Sequence, residues 1–267
     1  MRFSLVKTAF AGFRLIAARQ WSFLAWFGLV MVAIALVFVA AAPLPRASVA
    51  ADRPPWGPMA AALVILTVLA AVLVCAVYRA ELRPDDRRFA YLRLGADEAR
   101  MVPLLGAGML VLLLGSRAAP WGWAVALSVI VLGSRATLVA PAIFARKRFD
   151  LAFAWRIAEG RYRALLGLNL ITWIIYATSM LVLQMAWRAF MSASHRDLLA
   201  MVQSGERLMT AQLAVACILW MLLYTALFVV VVAPAAAAYR ACLMSAPTSP
   251  QENFPAPEAS ATPAGQG

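Results

Sequence analysis

Charge is what this chain is short of: only 13% of its 267 residues are Asp, Glu, Lys or Arg, against about 25% in a soluble domain. A large core does not explain the deficit, because a soluble protein of this size must still cover its outside with polar groups. Histidine occurs once, as His195 in "SASHRDLL". With Asp197 as its nearest acid, it cannot converge the several ligands a zinc site needs. The three cysteines, Cys75, Cys217 and Cys242, are widely spaced and carry no paired motif, so they read as packing residues and not as a disulfide framework. There is no glycine-rich phosphate loop and no serine elbow. Asp97 and Glu98 are adjacent and point to different parts of a helix, which suits anchoring nearby arginines better than paired acid–base work. The chain is therefore read as a non-enzyme, with no catalytic residues, no metal site and no cofactor.

What fills the space is apolar: 64% of residues are hydrophobic. Four runs, at 21–42, 59–78, 164–187 and 211–239, are each long enough to cross a hydrocarbon layer of about 30 Å as a helix of about 20 residues. The first is longer than a signal-peptide core and is read as a retained span. Between the second and third lie two shorter runs, 98–116 and 121–145, separated by "SRAAP", a charge and a proline suited to a turn. The expectation is an all-α, polytopic membrane bundle of six transmembrane helices. It is preceded by an N-terminal cytoplasmic segment (1–20), forms one membrane domain over 21–243, and is followed by a Pro-, Ala- and Ser-rich tail (244–267) with almost nothing to bury, read as disordered.

Lys and Arg gather on one side of these spans. Counting connections alternately, seventeen lie on the side of the N-terminus and six on the other, with Arg135 in neither group. By the positive-inside tendency both termini are cytoplasmic. The net charge of +12 is then matched by anionic lipid headgroups. Membrane lipids and a membrane-protein partner are expected, and nucleic acid is not.

Three stretches next to the basic ends look amphipathic. In 149–163, Leu151, Trp155, Ala158, Tyr162 and Leu165 recur at steps of four and three, with Asp150 as N-cap. In 87–102, Phe89, Leu92, Ala96 and Ala99 form a weaker stripe. In 4–21, Ser4 is a cap and Phe10, Phe13 and Ile16 are apolar. Each is expected to be a helix lying along the headgroups, its aromatics toward lipid or bundle and its arginine stems alongside. The exits also match: "CAVYRA" (75–80) with "AAAYRA" (236–241), and "APAIFAR" with "APAAAAYR". The arrangement reads as three units, each an interfacial helix followed by a membrane hairpin.

"YRAELRPDDRRFAYLRLGADEAR", "SRATLVAPAIFARKRFDLAFAWRIAEGRY" and "APAAAAYR" resemble a family of multi-pass inner-membrane proteins of alphaproteobacteria. More distantly they are similar to the membrane domain attached to some bacterial glycerophosphoryl diester phosphodiesterases. The resemblance covers most of 4–243 and implies a six-helix membrane domain without an assigned substrate. In the phosphodiesterases the chemistry resides in a separate acidic, histidine-rich domain. No such stretch occurs in these 267 residues, so that activity is not carried over.

Arg135 is the sharpest polar feature. It precedes Arg146 by eleven residues, about 16 Å along a helix, too deep for easy snorkelling. Charges at such depth face a protein interior or an aqueous cavity. Two roles stay open for it: pairing with carbonyls or with Asn169 and Thr172, or holding an anionic ligand or lipid headgroup. Asn169, Thr172 and Gln184 form a polar series on the fifth span, and Pro141 and Pro234 interrupt their helices near the basic ends. These features favour a scaffold or binding protein first, and a transporter or lipid- or small-anion-binding protein second.

Overall fold

A computed structural model describes residues 4–41, 56–85, 88–117, 137–204 and 207–244, all of them helices and the short connections between helices. Three short helices lie near one end of the bundle: α1 (Leu5–Ala9), α2 (Ala11–Ala18) and α7 (Leu151–Ala158). The others are α3 (Gln20–Ala41), α4 (Trp56–Leu82), α5 (Ala96–Arg117), α6 (Val139–Arg146), α8 (Tyr162–Ser204) and α9 (Arg207–Met244). Among the described residues, four helices are long and apolar enough to cross a membrane: α3, α4, α8 and α9. Their outer faces carry large apolar side chains such as Val32, Val64, Leu181 and Leu219. A surface of that kind is stable against lipid and would be an aggregation site in water. This is a membrane-embedded, all-helical protein. Arg135, with the turn and most of the second arm of the expected central hairpin (118–136), and the tail beyond Met244 lie outside the described residues.

Alanine decides how closely the long helices approach. Ala71, Ala76 and Ala80 on α4 and Ala233, Ala236 and Ala238 on α9 are all buried. Between helices in lipid there is no hydrophobic drive, so association rests on backbone approach at such small residues. Arg79, Arg146 and Arg240 mark what is called here the basic end, where Arg240 Nη1 reaches the Glu81 carbonyl at 3.5 Å. At the far end Trp187 packs on Trp220, with ring centroids 5.1 Å apart. Trp220 precedes Arg240 by twenty residues, about 30 Å of helix, which equals the hydrocarbon thickness of a bilayer. The tryptophans therefore sit where an aromatic belt belongs. The polar stretch after Arg188, beyond the expected end of the span at 187, continues α8 to Ser204, giving a helix of 43 residues.

The expected caps are present. Ser4 precedes α1, and Asp150 Oδ1 accepts from Phe153 N at 2.9 Å ahead of α7. Two of the expected amphipathic helices are different from what periodicity indicated. Residues 149–163 are not one helix: α7 stops at Ala158, and α8 starts at Tyr162 after Gly160 adopts φ +78°. That conformation is open to glycine and strained for other residues, so it separates the two axes. Residues 88–95 are not helical in the ordinary sense either. Phe89, Ala90 and Tyr91 have φ of 49°, 54° and 66°, one turn of left-handed helix, and α5 begins only at Ala96.

Of the two directions open to the aromatics, lipid or bundle, they take the outer one, while Ala158 and Leu165 of the 149–163 stripe are buried. In α1 and α2 the buried residues are Thr8, Ala9, Ala11, Gly12 and Leu15, whereas Phe10 and Phe13 stack on each other and point outward. In α7 the buried residues are Ala154 and Ala158, and Leu151 and Trp155 are exposed. Small side chains let these short helices touch a neighbour's backbone, and the rings are left to the lipid interface, where aromatics are favoured.

Candidate functional site

Two constructions stand out at the membrane level. The first is a cavity of about 460 Å³ between α8 and α9. Leu168, Asn169, Thr172, Trp173 and Tyr176 line it from α8, at helical spacing on one face, and Val231, Pro234 and Ala235 from α9. Thr137, at the start of the described part leading into α6, closes one side. Ala235 and Pro234 leave the room, since neither carries a long side chain. Pro234 also has no N–H to give the carbonyl of Val230 one helical turn earlier. Trp173 and Tyr176 meet edge to face, with centroids 5.6 Å apart.

Of the four polar residues singled out in the sequence, the structure brings Asn169 and Thr172 together in this wall. Thr172 is buried, and its hydroxyl donates to the Leu168 carbonyl at 2.9 Å. That proton is committed to its own helix, leaving the oxygen as an acceptor. Gln184 is exposed and lies twelve residues beyond Thr172, about 18 Å further along α8, so it is not part of the site. Arg135 lies outside the described residues, two positions before Thr137. Among the described lining residues there is no carboxylate, guanidinium, amine, imidazole or thiol. The walls are apolar with a few neutral polar groups, which suits an uncharged carbonyl- or hydroxyl-bearing ligand and offers no acid–base machinery. The volume is within the range of small-molecule sites.

The second construction is a buried polar knot at the basic end, which sequence reasoning saw only in part. Arg79 and Glu98 are both almost fully buried, and Glu98 Oε1 lies 2.5 Å from Arg79 Nη2. The contact is one of charge: neither Glu98 oxygen receives an aligned hydrogen bond. Arg79 also approaches Asp97 at 3.8 Å, donates to the Tyr91 carbonyl at 3.0 Å and lies over the Phe144 ring. Asp97 in turn holds Arg100 at 3.1 Å, so the two acids do anchor arginines. The Tyr91 hydroxyl accepts from Arg19 and donates to the Pro84 carbonyl, and Trp26 Nε1 donates to the Ala90 carbonyl at 2.8 Å. The left-handed turn is thus gripped from α3 and α4 together. A run of three non-glycine residues at positive φ costs about 1–2 kcal/mol per residue. Such strain persists only where its surroundings over-determine it.

Among the described residues no group of three or more His, Cys, Asp or Glu side chains is arranged to hold a metal ion. No protein-family model, no curated protein and no solved structure matches the chain, so function is argued from its own residues.

Proposed function

We propose that this chain is a non-enzymatic binding protein of a bacterial inner membrane that holds an uncharged amphiphile between α8 and α9. The cavity carries the proposal: about 460 Å³, apolar walls, and the neutral polar groups of Thr137, Asn169, Thr172 and Tyr176. Such a site retains a hydrocarbon body and reads a carbonyl or hydroxyl. Transport of the same ligand is the second reading. It is favoured by Pro234 in the wall, because interrupted helices beside a ligand are a feature of transporters.

The full chain, purified in mild detergent with added diacylglycerol and examined by native mass spectrometry, is expected to carry the neutral lipid. Ala235→Phe should fill the cavity and weaken binding by about ten-fold, equivalent to about 1.4 kcal/mol. Equal occupancy in both proteins, or none in the wild type, would sink this reading. Movement of diacylglycerol between leaflets of reconstituted vesicles separates transport from holding.

Within this proposal the chain has six spans with both termini cytoplasmic and anionic headgroups along that face, built from three units. The packing supports the units: α2 rests on α9, the turn at Arg88–Tyr91 rests on α4, and α7 rests on α6. Each entering segment lies on the exit helix of another unit, in a closed cycle. A reporter active only outside the cytoplasm should signal when fused after Ala50, Ser116 or Ser204. It should be silent after Arg88, Arg148 or Gly267. Silence after Ser116 would remove the central hairpin.

A further inference from the structure

The triplet Tyr78-Arg79-Ala80 ends α4, and Tyr239-Arg240-Ala241 recurs near the end of α9. Aligning the triplets sets Ile65, Val68, Leu69 and Val72 of α4 opposite Ala226, Val229, Val230 and Ala233 of α9. On α9 this face is covered. Gly12 of α2 lies directly on Val229 and Val230, and Val229, Val230 and Ala233 are buried. On α4 no helix among the described residues lies over the corresponding face in this way. Val68 is 38% exposed and forms part of a cleft of about 600 Å³.

The cause is local. The segment entering α5 is the left-handed turn, too short to lie along α4 as α2 lies along α9. It closes only one end of the cleft, with Phe89, Leu92, Arg93 and Leu94, while Leu29 and Ala33 of α3 form the opposite wall. Phe89 and Leu94 are 83% and 82% exposed, two large apolar side chains turned outward, Phe89 from within the left-handed turn. Among the described lining residues the cleft is apolar except at this end, where Arg93 lies.

We infer that this cleft is a specific site for one anionic phospholipid, an acyl chain lying between α3 and α4 and the phosphate meeting Arg93. The chemistry of the lining decides the occupant. An apolar trough with one cation at its interfacial end complements a hydrocarbon chain bearing an anionic head. Length agrees: Val64 to Val72 covers about 12 Å of helix, most of the ~15 Å depth of one leaflet's hydrocarbon. The turn is fixed at the basic end by Arg79 on the Tyr91 carbonyl, so the cation is held at the headgroup level. The site is separate from the cavity between α8 and α9, whose polar groups are neutral.

The test uses the full chain, delipidated in detergent, then offered phosphatidylglycerol and phosphatidylcholine of equal chain length, with retained lipid counted by native mass spectrometry. The wild type should retain one phosphatidylglycerol in preference to phosphatidylcholine. Arg93→Gln should keep a lipid but lower that preference by about five-fold, the factor expected of one arginine beside an anionic head. Val68→Trp should expel the lipid, whereas Ala235→Phe should not. Val64→Trp, at the deep end, should shift retention toward shorter acyl chains, a readout that misfolding would not produce. Equal retention of both headgroups by the wild type overturns the proposal. So does undiminished retention by Val68→Trp, or a dimer or bound polypeptide occupying the cleft in place of lipid.

Discussion

Gly12→Ala should be among the most damaging single substitutions in this protein, though it adds one methyl group. A Cβ at Gly12 runs into the Cα of Val230 and lies 2.9 Å from the Val229 carbonyl oxygen. Both are backbone atoms of a long helix and cannot turn aside as a side chain would. Overpacking of a close interface costs about 1–3 kcal/mol even where side chains can adjust. Here the expected loss is at the upper end, with α2 lifting off α9. Gly28→Ala on α3 is the internal control, since nothing lies within 4 Å of a Cβ there. In a helix interior that change is expected to stabilise by about 0.5–1 kcal/mol. Melting temperatures of the two variants in one detergent decide the matter. If they move alike, the close approach of α2 to α9 is not what holds the N-terminal helices.

Arg79→Met should be comparably severe for a different reason. It strands the buried Glu98 carboxylate, removes the donor to the Tyr91 carbonyl, and releases one grip on the left-handed turn. Breaking a buried pair from one side costs about 3–5 kcal/mol, because the remaining charge is left uncompensated. Glu98→Gln should be milder: Arg79 keeps the Tyr91 carbonyl and Asp97. The double variant Arg79→Met, Glu98→Leu should recover part of the loss, since replacing both partners removes the stranded charge. A double-mutant cycle on thermal stability measures this, with a coupling of about 1 kcal/mol or more expected for residues in contact. Strict additivity would mean that the pair is held in place by its surroundings and does not hold them.

The local signals in the sequence were well placed. Ser4 and Asp150 stand at helix starts because a side-chain oxygen beside free N–H groups acts within one turn. The long spans were legible because every backbone group in lipid must be paired within its own helix, and that demand imposes a run of apolar residues. Asp97 and Glu98 were readable as anchors, but not Arg79 as their partner, which comes from another helix. Asn169 and Thr172 were marked as polar residues in an apolar span, yet the cavity depends on Ala235 and Pro234 facing them from α9.

Solvent, the long apolar spans and the two capped helix starts were thus settled by composition and local chemistry, since each depends on chemistry within a turn or on the total apolar length. The ends of α7 and α8 were not. Nor was facing. Periodicity locates a stripe but cannot say whether aromatics or alanines turn inward; in α2 and α7 the alanines do, because what lies opposite is the neighbouring helix and only small residues let helix backbones meet. The left-handed turn at Phe89–Tyr91 has no local cause among those residues. Its conformation is selected by Arg79 of α4, Trp26 of α3 and Arg19 at the junction of α2 and α3, and a contact of that range exists only once the chain has folded.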